Sequence, residues 1–594
     1  MPNEYWFWLT KLSLLAQPSA ALDLPPQEYF QQHPSFQEWI SDLHFEESFD
    51  GWSSLIENPE FFMNPIGQSS PTEEINTFIS EWNRSTQHAT ELACRFPIRT
   101  AWLLKHHPHL NPHQKPIQEC EQLKEFRNKF FPVDIEYVFA TSYLGHPASM
   151  FGHTFLRFNQ NDKTEFQAYV IDYAAAIEGS PPMWKYAYDG VVGNFPGRYA
   201  ILPYYEKIRQ YNSIESRSLW RFTLNLDKSQ RKRLIDHLWE LKAVDAKYYF
   251  FDQNCAYNLM RLVEVATQNK KLKISPGHWN FPLDCVHQIF DANLIKKVQL
   301  EPSLNKKVFE LSKELTDQQI LAATRSLQVE PTYLKTLNAH QLELATHWAY
   351  FNGRSNMNTL AGYEQVKSDI RAISRARNKL NAIPTPISTS YEHPPSIGHR
   401  TQRTSIALTS DHIQVNHRLA YHSLSDPRPG YPLGSGFEAL SGSFLIGSNG
   451  SARFDKLRFF RFTSLNPTNI LFDPLSWNTH FDITSISRPN FHFQLDIGKS
   501  RQLTTNSLLY FLPGISLTRS APTIHYTFGA IASPGNLTLT ADYKKDYDIS
   551  LKSISEVIHL FAGYGLAQLQ LFFSADLHLL KQHHTASLGI RFYS

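Results

Sequence analysis

Residues 491–497, FHFQLDI, place Phe491, Phe493, Leu495 and Ile497 on one face of an extended chain and His492, Gln494 and Asp496 on the other, because successive side chains of a strand point to opposite sides. The same alternation recurs through the last third of the sequence. Leu537, Leu539 and Ala541 oppose Thr538, Thr540 and Asp542, and Ala586, Leu588, Ile590 and Phe592 oppose Ser587, Gly589 and Arg591. About twelve such segments fill 398–594, separated by turn clusters such as SNG, RPN and SPGN. An even number of strands with short turns predicts a closed antiparallel β-barrel, and strands of about 9 to 11 residues have the length that crosses a bilayer. A two-faced strand does not say whether its apolar side meets lipid or a core. An outer-membrane barrel is the expectation; a water-soluble barrel or sandwich is the alternative. The chain ends Phe592-Tyr593-Ser594, whereas outer-membrane barrels favour an aromatic last residue.

Upstream, NAIPTPISTSYEHPPSIGH from Asn381 is rich in Pro and Ser and has no apolar period, which marks a boundary. ELTDQQILAATRSL and AHQLELATHWAYF, within 301–381, have helical spacing without clustered reactive groups and predict a helical connector. The runs YVFATSYL, HTFLRF and QAYVIDYAA read as strands, and 234–241 and 259–266 as helices, so 132–300 predicts an α+β domain with a small sheet. Residues 1–125 read as helices, with apolar positions three and four apart at 6–15 and 75–82. The fold class is therefore multidomain α+β, in keeping with 594 residues, several times the usual domain length.

A net charge of +2 argues against a dedicated nucleic-acid binder. The 13% aromatic content, with 27 Tyr and 41 Phe, suits β-rich surfaces and water–lipid interfaces. Cys94, Cys120, Cys255 and Cys285 are too few and too widely spaced for a zinc pattern or a disulfide-dense scaffold, so no metal or cofactor is expected and at least one thiol is available for chemistry. No run approaches the roughly 18 apolar residues of a membrane-spanning helix, which leaves membrane association to strands or surface loops. In MPNEYWFWLTKLSLLAQPSAALD no basic region leads the apolar stretch, and Lys11 interrupts it; this reads poorly as a secretory signal.

Two motifs carry the chemistry. In TSYLGHPASMFGHTFLRF, His153 follows a glycine at the start of an apolar strand. In YYFFDQNCAYNLMRLVEVA, Cys255 falls in the first turn of a helix, where the dipole and unpaired N–H groups favour thiolate and can receive an oxyanion. A thiol nucleophile needs a base, and the base needs a third group to orient it. His153 is the candidate base, expected on an edge strand of the sheet. Asp172, on the strand after HTFLRF, is the suggested third member; Asn254 and Asp252 serve equally well or cap the helix. Residues 183–212, rich in Tyr and interrupted by Gly and Pro, suggest a flap that contacts acyl chains or headgroups, with Trp184, Tyr188, Arg198, Tyr204 and Tyr205 as candidate substrate-binding residues. A core-packed irregular loop is the competing reading.

SMFGHTFLRF, GNFPGRYAILPYYEKIRQYN and YYFFDQNCAYNLMRLVEV together resemble the Lnb-type N-terminal periplasmic domain family of Gram-negative bacteria. CRFPIRTAWL at 94–103 resembles the helical region that precedes this domain in longer members, and RLAYHSLSDPRPGYPLGSGFE at 418–438 resembles their C-terminal β region. The resemblance implies a permuted papain-like (NlpC/P60-like) core in which the His strand precedes the Cys helix, a location in the periplasm and outer membrane, and N-acylation of lipoproteins. Cys255 would take an acyl group from a phospholipid or lipoprotein as a thioester and pass it to an amine. The competing expectations are a Cys-His amidase, peptidase or lipase using the same pair, and a barrel channel or scaffold with a non-catalytic periplasmic domain.

Overall fold

The computed structural model describes residues 33–110, 120–141, 151–161, 164–177, 179, 181–242, 244–272, 280–325, 332–383, 393–484, 489–519, 522–566, 568–580 and 584–594, but not the side chains of residues 183, 184, 187, 270 and 358. The helix expected at 6–15 and residues 384–392 of the Pro- and Ser-rich boundary lie outside them. The chain divides into two compact units, 1–124 and 125–594.

In the first unit, helices Pro34–Asp42, Pro71–Trp82, Thr86–Arg95 and Pro97–His106 bury Trp39, Phe78 and Trp102 together. Arg99 and Glu74 form a fully buried pair at 2.9 Å, and the Glu74 carboxylate also accepts the Met63 and Asn64 N–H groups. A hairpin of Phe45–Ser48 with Gly51–Ser54 interrupts the expected helices; its four-residue strands are too short to display an alternation. Cys94 and Cys120 form a disulfide.

The second unit begins with a seven-stranded antiparallel sheet in the order Ala246–Tyr248, Phe195–Pro203, Tyr169–Ala175, His153–Asn159, Asp134–Ala140, Leu219–Leu224, Ile295–Glu301. The histidine strand is fourth of seven, so the expected edge position is corrected: a strand as apolar as TFLRF is flanked on both sides, and His153 reaches the site because it stands at the strand's end. The helix Cys255–Thr267, almost wholly buried, packs against the histidine strand and its neighbour Tyr169–Ala175. Residues 183–212 are not an irregular loop. They form helix Met183–Val192, strand Phe195–Pro203, helix Tyr204–Lys207 and most of the π-helix Ile208–Ile214.

Twelve antiparallel strands from Arg403–Leu408 to His584–Tyr593 close into a barrel, the first pairing with the last. Apart from the six-residue first strand they have 9–15 residues, enough to cross a bilayer at a tilt. The apolar face is outside: Phe491, Ile497, Phe528, Leu588 and Phe592 are 44–64% exposed. The polar face is inside, where Gln494, Asp496, His525 and Thr538 are at most 5% exposed. A water-soluble barrel has the opposite arrangement, so the lipid-facing reading is the one this polarity fits.

Residues 423–434 leave the strand His412–His422 and fold into the barrel mouth before the strand Ser435–Gly447. Asp426 accepts hydrogen bonds from Arg403 (2.7 Å), Arg418 (2.6 Å), Arg591 (3.2 Å) and the Tyr593 hydroxyl (3.0 Å). Leu424 and Leu433 pack on inward-facing Leu508, Leu512 and Ile531. The sheet domain is docked on this same mouth: Phe151 contacts Phe281 and Phe437 at ring separations of 4.7 and 4.8 Å, and the Thr401 hydroxyl donates to Asp284 at 2.8 Å. The connector, helices Leu304–Ser312, Asp317–Arg325, Ala339–Gly353 and Leu360–Asn378, packs on the barrel loop through Phe351 and Phe472, 5.1 Å apart.

Candidate active site

Gly152 sets the histidine in place. Its φ of +94° belongs to the region that favours glycine, and a Cβ there would lie 2.5 Å from the Phe139 ring. The chain therefore passes close beneath Phe139 and enters the strand at His153. His153 Nε2 lies 2.8 Å from Asp172 Oδ1. The ring also hydrogen-bonds the Cys255 thiol, and with Nε2 committed to the carboxylate, Nδ1 is the nitrogen on the sulfur side.

Cys255 opens its helix because Asn254 caps it, accepting the Ala256 and Tyr257 N–H groups at 3.0 and 3.2 Å. The Thr154 N–H and the Tyr248 hydroxyl both donate to the sulfur. Burial by itself would raise the thiol pKa, but the His153 charge and hydrogen bond, helped by Thr154 N–H, bring it below the ordinary value. Burial likewise opposes a charged imidazole, yet the Cys255 and Asp172 charges and hydrogen bonds outweigh it and raise His153 to about 9. Asp172 is held well below the usual carboxylate range: His153 and Lys207 overcome the burial penalty. A thiolate–imidazolium pair is the state these neighbours favour.

Of the three residues open as third member, Asp172 faces the imidazole. Asn254 is instead committed as the cap and by Nδ2 to the Asn280 carbonyl at 2.6 Å, and the Asp252 carboxylate accepts from Asn280 Nδ2 at 3.2 Å. The substrate-binding candidates separate. Tyr188 and Tyr205 are exposed, at 60% and 54%. Tyr204 belongs to the sheet domain's core with Val138, Phe155 and Val170, under the Arg157 guanidinium, because its strand neighbours leave the ring no outward path. Arg198 pairs with Asp245 at 2.6 and 2.8 Å. The Trp184 side chain lies outside the described residues. Sequence reasoning missed Lys207, whose Nζ donates to Asp172 Oδ2 at 2.5 Å, and Tyr248; both sit in aromatic runs whose spacing shows no contact. Two His-Asp-His-type groups in the barrel, His399 with His422 and Asp426, and His480 with Asp482 and His492, have carboxylates already paired with arginines.

Fold and site define a protein in which an α+β domain with a buried thiol–imidazole–carboxylate group is mounted on a closed twelve-stranded barrel. Residues 122–292 match the family model described as the Lnb N-terminal periplasmic domain, in agreement with the resemblance carried by the His153 and Cys255 motifs. Residues 32–106 and 392–535 match two further models, both described as domains of unknown function (DUF7843 and DUF7840). No curated protein matches. Among solved structures, the chain is similar to a KdgM porin in complex with disordered oligogalacturonate, at 10% identity and TM-score 0.23, covering 33% of this chain and 99% of that one. It is also similar to the NanC porin, at 6% identity and TM-score 0.23 over 32% and 98% of the two chains. An anion-selective porin from Comamonas acidovorans is similar at 14% identity and TM-score 0.17, over 30% and 59%. A periplasmic domain joined to a barrel with an apolar exterior fits the periplasm and outer membrane of a Gram-negative cell.

Proposed function

We propose that this protein is a cell-envelope acyltransferase of the thiol type, acting on lipoprotein or phospholipid acyl groups, with Cys255 as nucleophile, His153 as base and acid, and Asp172 as the group that orients the imidazole. The observation that carries the reading is the His153 ring bonded to Asp172 on one side and to a thiol at a helix N-terminus on the other. A strand-borne His preceding a helix-borne Cys is also the order of permuted papain-like enzymes.

In the first half-reaction the thiolate attacks the acyl carbonyl carbon. The oxyanion forms beside the Thr154 N–H and the Tyr248 hydroxyl, which donate to the sulfur in the resting site, at the positive end of the Cys255 helix. As the C–O ester bond breaks, the departing alkoxide takes the proton from imidazolium, and a thioester remains on Cys255. In the second, an amine attacks the thioester carbon, His153 takes the amine proton, and the C–S bond breaks to regenerate the thiolate. Cys255 is 3% exposed, and exclusion of bulk water by the bound donor and amine would favour transfer over hydrolysis. The barrel serves as the anchor: the loop 423–434 occupying its mouth supports this role over that of a channel.

The full chain, incubated with phospholipid vesicles, is expected to carry a hydroxylamine-labile acyl group on Cys255 by mass spectrometry. Equal labelling of wild-type and Cys255→Ser protein would sink the proposal. Free fatty acid released without an amine acceptor, or a cut peptide, would turn it toward the lipase or peptidase reading.

A further inference from the structure

Lys207 is a buried ammonium that the reaction just described does not use. It ends the short helix Tyr204–Lys207 and leads directly into the π-helix Ile208–Ile214, a form of turn that often marks functional sites. Its side chain is 7% exposed, and its Nζ lies 2.5 Å from Asp172 Oδ2 while Asp172 Oδ1 lies 2.8 Å from His153 Nε2. One residue from each of three elements thus forms a line of ammonium, carboxylate and imidazole that ends at the Cys255 sulfur. From the same segment Tyr211 covers the arrangement, 5.4 Å from the His153 ring and 5.3 Å from the ammonium.

We propose that Lys207 is a positioning residue for the thiol site: by holding the far oxygen of Asp172 it keeps the near oxygen on His153, and its charge offsets that of the carboxylate. The proposal rests on the thiol reading of Cys255. Without the ammonium, Asp172 is free to rotate away from His153, and its negative charge acts on Cys255 undiminished, which disfavours thiolate. Among the described residues, the other charged and titratable groups facing this line are Tyr211, Glu215 and Arg217 on the lysine's own segment and Tyr248, Tyr137 and Cys285 around the sulfur.

The test is the pH dependence of Cys255 alkylation by iodoacetamide in the full chain, followed by mass spectrometry, which reads thiolate without requiring any acyl chemistry. Lys207→Met keeps the length and removes the charge, and is expected to move the acid limb of the profile up by about one pH unit, a tenfold loss of thiolate on the limb. Lys207→Arg keeps the charge and is expected to leave the limb in place. In an Asp172→Asn background, Lys207→Met is expected to add a clearly smaller shift than it gives alone, since its positioning route runs through the carboxylate. That double variant also removes both buried charges together, so the comparison survives if Lys207→Met alone fails to fold. An unmoved limb in Lys207→Met, equal shifts in the Met and Arg variants, or full additivity with Asp172→Asn would each overturn the assignment. A wild-type thiol with an ordinary profile would remove the thiol reading and this proposal together.

Discussion

Two imidazole–carboxylate pairs in this chain have nearly the same local chemistry in different surroundings. His153 Nε2 meets Asp172 at 2.8 Å, and His525 Nε2, inside the barrel, meets Asp496 at 2.5 Å. In each, the other carboxylate oxygen is also held, by Lys207 in the first and by Asn478 and Gln494, at 2.7 Å each, in the second. The difference lies beyond the ring. His153 faces a thiol at the positive end of a helix, whereas the second nitrogen of His525 faces the barrel wall, with Asp546 3.9 Å away. A buried imidazole–carboxylate pair is first a way of satisfying two polar groups. It becomes reaction machinery only where a nucleophile and an oxyanion site complete it.

The sharpest way to break this comparison is to exchange the losses. His153→Ala is expected to lower acyl transfer by about 10³-fold or more, as removal of a general base does. His525→Asn is expected to leave the transfer rate within about twofold and to show instead as a lower melting temperature of the barrel. Comparable kinetic losses from both would mean that His153 has no special place.

The next contrast concerns the two faces of the barrel wall. Phe528 projects outward from the middle of the strand Pro522–Ala532 and is 51% exposed. Phe528→Arg is expected to cost about 2–4 kcal/mol when unfolding is measured from lipid vesicles, because a guanidinium replaces a ring in hydrocarbon. A cost near zero would show that this face meets water.

A smaller effect is expected within the site itself. Asp172→Asn should lower the rate by less than His153→Ala does, an orienting group being removed while base and nucleophile remain. With His153 raised to about 9, the alkaline limb of the rate profile should lie near pH 9. Asp172→Asn removes a charge and a hydrogen bond that raise the ring, so the limb should move to lower pH. The linked stability has the same sign. A folded pKa above the unfolded value of about 6.5 contributes stability that is complete below that pH and is lost as pH rises through 9. A limb that stays near 9 in Asp172→Asn would remove the carboxylate from its assigned part.

Much of the fold is legible one strand at a time. The alternation through Phe491, Leu539 and Leu588 gives about twelve strands, and twelve close the barrel. The YVFATSYL, HTFLRF and QAYVIDYAA runs mark three adjacent strands of the seven-stranded sheet. The hairpin near Phe45 and the strands beyond these three are less visible, because short runs, or runs buried on both faces, carry no clean period. At the site, His153 and Cys255 stand out because each lies at the start of a regular element, directly after a residue that permits the turn, Gly152 in one case and the cap Asn254 in the other. Lys207 has no such signal. Its neighbours are tyrosines, and nothing in YYEKIRQY says that the ammonium turns inward to a carboxylate on the adjacent strand.

The sequence by itself determined which residues alternate, where the helix bearing Cys255 begins and which two motifs carry reactive groups, since these depend on chain periodicity and on caps within a few residues. Only the tertiary structure decided that the barrel's apolar face turns outward, that Asp426 draws Arg403, Arg418 and Arg591 around a loop in the mouth, and that Asp172 and Lys207 line up behind His153. The physical reason is that a strand's two faces are equivalent until the sheet curves and closes. A charge, likewise, has no partner until segments distant in sequence are brought within hydrogen-bond distance.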